Sequence, residues 1–319
     1  MKAAKMNKFN ISRRDLIKGT VLLTLSATDI TAARAGTLTV SSVLGRPTSN
    51  SITVNLVCAQ NVNGFIEYGF AANNLNLKTE SQNLIASQPS EFLLENLKPN
   101  SKIFYRFRTE ADSAKTLSVN TAKNVATDFT FTVHGDTHPE RPGKMFNEEL
   151  YVNTLKNIAN QSPDFHILLG DDFSIDPLIA KNQANKTNIE KIYSTHRNWL
   201  KIVGEKTPIF LVNGNHEQAA EYLLDGTDSN PAVLAANARN KYFALPAPDS
   251  FYTGNSTDIK FVGKPRDYYS WNWGDALFIT LDPYWHSKYA VDNVAGVTSE
   301  QEGRSEEHTS ELQSQSTIS

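Results

Sequence analysis

Three clusters of chemically similar residues recur along the sequence, each directly after a short apolar run. They are Gly135-Asp136-Thr137-His138 after residues 129–133, Gly170-Asp171-Asp172 after 165–169, and Asn213-Gly214-Asn215-His216-Glu217 after 208–212. Between the runs lie two stretches of helical character, 147–160, with Tyr151, Leu155 and Ile158 at helical spacing, and 189–203. Strand–helix–strand–helix–strand predicts parallel strands joined by right-handed crossovers. In such sheets ligands bind beyond the carboxyl ends of the strands. Neighbouring strands lie about 4.8 Å apart, so side chains just past their ends can meet at one point. A single Asp or Asn after a strand reads most simply as a turn former or helix N-cap. Three clusters after three consecutive strands constrain the chain further. They predict two carboxylates, an imidazole and an amide oxygen converging on one place, a mixed shell that suits Mn, Fe, Zn or Co.

The residues before this region have a different rhythm. Residues 51–57 alternate polar and apolar, 64–69, 91–94 and 103–108 are further short strands, and Pro99-Asn100 punctuates between them. That pattern predicts a small β-sandwich over 36–126. The stretch from Leu97 to Tyr105 resembles the turn before a late strand of fibronectin-III-like domains. Ile103 stands where that pattern carries Tyr, so a tyrosine corner is expected only if Tyr105 substitutes. Later, 268–273 and 276–281 flank Gly274-Asp275, a hairpin signal, and the alternating Tyr269, Trp271 and Trp273 read as core.

Both ends read as something other than folded domain. Residues 1–35 hold a basic stretch, the apolar run 19–25 and the small-residue close Ala33-Arg34-Ala35, the three parts of a secretory signal. Within it, Ser12-Arg13-Arg14-Asp15-Leu16-Ile17-Lys18 resembles a twin-arginine signal. This implies a bacterial protein handed to the twin-arginine export machinery and delivered to the periplasm or outside the cell. The apolar run is too short for a membrane span, and no Cys follows the cleavage pattern, so no stable membrane anchor is expected. At the other end, residues 304–314 resemble the translation of a sequencing-library adapter. Residues 304–319 are therefore expected to be an artefactual tail on a natural chain cut near Gly303. Residues 1–35 carry +5 of an overall −3, which leaves −8 for the rest. So acidic a body argues against nucleic acid as a partner, and against a nuclease. Cys58 is the only cysteine, which excludes intrachain disulfides and cysteine-built zinc sites.

The series G-D-x-H, G-D and G-N-H-E resembles the calcineurin-like metallophosphoesterase superfamily, and the sandwich in front resembles the arrangement in purple acid phosphatases. The resemblance covers roughly residues 40–303. It implies a β-sandwich followed by a four-layer αββα metallophosphoesterase domain over 127–303, holding two divalent metal ions. It also implies roles. Asp136 and His138 bind the first ion, Asp171 bridges both, Asn215 binds the second through its amide oxygen, and His216 serves the leaving oxygen as acid. The chemistry implied is in-line attack by metal-bound hydroxide on a small-molecule phosphate ester. Three departures accompany the resemblance. Ser174 stands where purple enzymes carry Tyr, so no tyrosinate–iron site is expected. The Asp that orients the catalytic His in related protein phosphatases is here either Asp172 or Asp176. The downstream histidines of the family, including G-H-x-H, are absent: only His286 and His308 follow His216, and His308 lies in the suspected tail. The domain is therefore expected to be truncated at its C-terminus, with little activity in the 319-residue chain. The alternative is a non-catalytic β-sandwich adhesion or binding protein with a degenerate phosphatase-like domain. Of the other histidines, His166 reads as structural, His196 as solvated on a helix, and His134 as a neighbour of the site. His286, just past a strand end, is a candidate substrate contact, and Asp282 a candidate turn former.

Overall fold

The computed structural model describes residues 38–217 and 224–282. The signal segment, His286, His308 and the tail lie outside the described residues.

The N-terminal strands are β1 (Val40–Gly45), β2 (Ile52–Cys58), β3 (Val62–Gly69), β4 (Leu77–Lys78), β5 (Gln82–Leu84), β6 (Pro89–Leu94), β7 (Lys102–Arg108) and β8 (Leu117–Asn120). They pair antiparallel in two sheets, β1-β2-β6 and β4-β3-β7-β8, with β5 added to β3. The β-sandwich is thus present. The period of two explains its core: Ile52, Val54, Leu56 and Cys58 of β2 meet Ile66, Ile103, Tyr105 and Phe107 of the facing sheet. β2 is also buried on its other face, where Asn55 is fully inaccessible.

The second region runs β9 (Phe131–His134), α1 (Glu148–Gln161), β10 (Phe165–Leu168), α2 (Asp176–Ala180), α3 (Lys186–Gly204), β11 (Ile209–Leu211), α4 (Pro231–Tyr242), β12 (Thr253–Gly254), β13 (Tyr269–Trp273) and β14 (Ala276–Thr280). β9, β10 and β11 are parallel, in the order β11-β10-β9, as the strand–helix alternation predicts. Asn147 caps α1 by accepting from the Leu150 N–H at 3.0 Å, and Asn185 caps α3 by accepting from Asn188 at 3.1 Å. Ile209 and Leu211 of β11 point into the helical core, and Phe210 points the other way. There it stacks on Trp271 with ring centroids 4.2 Å apart, part of an aromatic layer that joins the parallel sheet to the antiparallel sheet β12-β13-β14. Tyr269, Trp271 and Trp273 are core, as expected. Helices therefore cover one face of a pair of stacked sheets. The outer face of β14 leaves Leu277 and Ile279 about 60% exposed.

The two regions are joined through α3. Arg197 is 2% exposed and its guanidinium donates to Ser41 Oγ (2.8 Å) and O (3.2 Å) and to Asn55 O (2.6 Å) and Oδ1 (3.2 Å). Burial pushes its pKa down to about 10. Tyr105 makes no tyrosine corner, and its hydroxyl donates instead to the carbonyl of Glu205 at the end of α3, at 2.7 Å. Arg197→Met is expected to cost about 2–4 kcal/mol, since it strands buried carbonyls that a charged donor satisfied. Urea unfolding should show a lower midpoint at unchanged slope. A midpoint equal to wild type would mean the guanidinium contributes nothing net.

His196, read from sequence as solvated, is buried at 1% exposure. α3 is covered by α1 on one side and by α4 and β1 on another, which buries His196 and Arg197 and leaves Lys191, Thr195 and Asn198 exposed. His196 Nδ1 donates to the Asp172 carbonyl (2.6 Å), and Nε2 accepts from the Tyr151 hydroxyl (2.7 Å). Burial holds it neutral, with a pKa pushed down to about 3. His166 is structural as expected, bonded to Thr132 Oγ1 (2.8 Å) and to His134 (2.7 Å).

Candidate metal centre

The loops after β9 and β10 are laced together by their backbones. The Asp136 N–H donates to Gly170 O (2.9 Å) and the His138 N–H to Asp171 O (3.1 Å). Asp136, His138 and Asp171 all adopt left-handed backbone, with φ of 56°, 43° and 57°. This region is sparsely populated by residues other than glycine, at a cost of roughly 1–3 kcal/mol each. The loops after β10 and β11 also touch closely. A Cβ on Gly170 would lie 2.1 Å from Gly214 N, and one on Gly214 would lie 2.2 Å from Asp171 Oδ1. Only glycine permits that approach at either position.

These constraints bring His138, Asp171 and His216 together, while Asp136, whose side chain is 77% exposed, approaches His138 from the outer side. His138 Nε2 lies 3.8 Å from Asp136 Oδ1 and 3.7 Å from Asp171 Oδ2, too far for a hydrogen bond. Two ligands each about 2.1 Å from one ion sit at most about 4.2 Å apart, so this spacing is what a shared cation requires. Ligand atoms of His138, Asp171 and His216 all lie within 4.8 Å of one another. The His138 ring is fixed from behind: its Nδ1 bonds Glu140 Oε1 at 2.7 Å, which leaves the Nε2 lone pair facing the carboxylates. Asn215 occupies the turn after β11, half-buried, between Gly214 and His216.

His216 Nδ1 is held by Asp176 Oδ2. The structure therefore selects Asp176, at the start of α2, over Asp172 as the orienting carboxylate. That hydrogen bond raises the His216 pKa above its ordinary value, burial opposing it. Asp171 presents both oxygens, Oδ2 toward His138 and Oδ1 to the His216 N–H at 3.1 Å. Asp172 points away from the centre, accepting from Thr137 Oγ1 at 2.6 Å, and burial followed by the charge of Glu217 pushes its pKa well up.

Glu217 is fully within the protein and ties two loops. Its Oε2 accepts from Asp171 N (3.0 Å) and Gly214 N (2.6 Å), and its Oε1 from Asp172 N (2.8 Å) and Phe173 N (3.2 Å). Burial raises its pKa in spite of those four donors. Sequence reasoning gave no role to Glu217 and did not single out Glu140. The H-x-E spacing of His138 and Glu140 was the one available sign of the latter.

A family model described as calcineurin-like phosphoesterase matches residues 129–301. No curated protein matches the sequence. Among solved structures, the chain resembles that of PhoD at 16% identity and a TM-score of 0.50, over 80% of this chain and 53% of that one. It resembles purple acid phosphatase PPD1 from yellow lupin (Lupinus luteus) seeds at 15% identity and a TM-score of 0.51, over 75% of this chain and 43% of that one. At such identities the likeness is one of fold, and the chain spans about half the length of each of these two proteins. The strand-end clusters, the spacing of Asp136, His138 and Asp171, and a family match over more than half of the residues lead to one statement: this chain belongs to the calcineurin-like phosphoesterase family.

Proposed function

We propose that the protein is an exported, metal-dependent hydrolase of small phosphate esters. The observation that carries this reading is His138, with Nδ1 tied to Glu140 and Nε2 facing Asp136 and Asp171 across cation-sized gaps. Asp136, His138, Asp171 and Asn215 are hard oxygen and borderline nitrogen donors, which fit divalent Fe, Mn, Zn or Co. Bound there, a pair of such ions supplies Lewis acidity toward a phosphoryl oxygen and acidifies water. His216, whose pKa the Asp176 hydrogen bond raises, delivers its proton to the departing ester oxygen. Asp171 offers its two oxygens to the two sides of the centre, and Glu217 fixes the loop that carries it. Ser174 excludes a phenolate ligand at the position where purple enzymes carry one.

The reading includes a longer gene product. After His216 the sequence offers only His286 and His308 as imidazoles, fewer than the three downstream histidines of the family pattern, and 304–319 is taken as foreign. The test is turnover by the uninterrupted gene product of a chromogenic phosphomonoester and a phosphodiester, with Mn or Zn supplied and then chelated. Metal-dependent hydrolysis of either supports the reading, and bound metal with no turnover of either ends it. Equal catalysis by the 319-residue chain would refute the truncated reading alone.

Export is proposed on the strength of Ser12-Arg13-Arg14 and the Ala33-Arg34-Ala35 close. Among the described residues no helix is long and apolar enough to cross a membrane. Replacing Arg13 and Arg14 together by Lys is expected to retain the protein in the cytoplasm, read by cell fractionation. Unchanged export of the double variant would exclude the twin-arginine route.

A further inference from the structure

His138 opens a tight turn. His138-Pro139-Glu140-Arg141 is closed by the Arg141 N–H on the His138 carbonyl at 2.9 Å, with Pro139 at the second position, where such turns favour it. The ends of a turn of this kind lie less than about 7 Å apart at Cα, so Arg141 is anchored beside the metal centre. Its own carbonyl receives the N–H groups of Lys144 (3.2 Å), Met145 (3.1 Å) and Phe146 (3.2 Å), and Phe146 belongs to the helical core. The side chain is placed as well. Glu140 Oε1 meets His138 Nδ1 at 2.7 Å and Arg141 Nε at 3.2 Å, so one carboxylate oxygen serves both the imidazole and the guanidinium. The Arg141 charge is felt at His216, whose ring centroid lies 5.2 Å from that of His138. The protein leaves this guanidinium under-used. Among the described residues its hydrogen bond runs from Nη1 to Met145 Sδ, a weak acceptor, at 3.2 Å. The side chain is 41% exposed, and most of its N–H donors are open to a ligand.

We propose that the Arg141 guanidinium binds a terminal oxygen of the substrate's phosphoryl group and gives the centre a preference for phosphomonoesters over phosphodiesters. The inference rests on the phosphoesterase reading and narrows it to a substrate class. A monoester at neutral pH carries about two negative charges. A diester has traded a terminal oxygen for a second ester link and carries half that charge, so it gains less from a fixed cation. Arginine suits the task because its planar fork stays charged and matches phosphoryl oxygens in pairs. Asp136, Glu140, Asp171 and Asp176 make the surroundings acidic, so a positive side chain held in place matters most to the ester with the larger charge.

The experiment is calorimetric titration of inorganic phosphate into the longer gene product at saturating Mn, with kcat and KM measured for p-nitrophenyl phosphate and bis(p-nitrophenyl) phosphate. Arg141→Gln is expected to weaken phosphate binding by about tenfold or more, the loss of a charge-assisted hydrogen bond, and to raise KM for the monoester by a similar factor. The diester KM should change by less than about threefold, and Arg141→Lys, which keeps the charge without the fork, should fall between Gln and wild type. Lys156→Gln removes an exposed positive charge from α1 and should leave phosphate affinity unchanged, which excludes net charge as the cause. A phosphate defect that disappears as Mn is raised would assign Arg141 to supporting His138 through Glu140, and would overturn the proposal. Wild-type phosphate affinity in Arg141→Gln, equal losses on both esters, or no phosphate binding by the wild type would overturn it too. If Arg141→Gln weakens phosphate as expected while the wild type turns over neither ester, the hydrolase reading falls and the guanidinium contact stands.

Discussion

Glu217→Leu is expected to destabilise the protein by about 4 kcal/mol or more, the largest stability effect of any single replacement considered. The carboxylate accepts from four backbone N–H groups, those of Asp171, Asp172, Phe173 and Gly214. Each buried donor left without a partner costs about 1–3 kcal/mol, less whatever water recovers. Glu217→Gln separates charge from shape. Glutamine fits the same space, but its NH2 must face two N–H donors whichever way it is turned, so a loss of about 1–3 kcal/mol is expected. Both variants should also weaken Mn or Zn binding, because the N–H groups that Glu217 holds belong to the loops carrying Asp171 and Asn215. Urea unfolding and metal titration on the same samples check this. If Glu217→Gln matches wild type in both, the carboxylate does not shape the site.

Removing the His216 imidazole is expected to lower kcat by about 10²–10⁴-fold, the usual contribution of a positioned acid. Asp176→Asn is the sharper test. The Asp176 hydrogen bond is the foremost cause of the raised His216 pKa. A raised value means the proton is retained to higher pH than in an unperturbed imidazole. Loss of the carboxylate lowers it, so the alkaline limb of the rate profile should move to lower pH and activity should fall by about 10–100-fold. The same sign governs stability: the His216–Asp176 pair stabilises the fold below the ordinary histidine range and ceases to do so as pH rises through the raised pKa. A profile unmoved by Asp176→Asn would show that another group delivers the proton. Both activity measurements are made on the longer gene product proposed above, with Mn or Zn supplied.

Much of the site was legible because parallel strands carry their own geometry. Once 129–133, 165–169 and 208–212 read as neighbouring strands, the residues just beyond them had to lie close together, and His138, Asp171 and His216 do, with Asp136 at the exposed edge beside His138. Glu140 and Asp176 were harder to place. Each stands a few residues further into a loop, and the direction of that loop is set by turns at Arg141 and Ile175 with no strong sequence signature. α4 went unrecognised as a helix although Asn230-Pro231 marks its start, because it is buried on nearly every side and so shows no amphipathic stripe. His196 misled for the converse reason. A polar residue on a helix usually faces water, and this one faces the Asp172 carbonyl and the Tyr151 hydroxyl. Helical periodicity reports which positions are apolar, and the identity of the neighbour that covers a polar one is a tertiary fact.

The left-handed backbone at Asp136, His138 and Asp171 has a consequence for how an ion would be received. The awkward conformation is adopted while the chain folds, enforced by β9, β10 and the glycines that let their loops meet. An arriving cation would then find the backbone of both loops already set, with only side chains such as the exposed Asp136 left to settle.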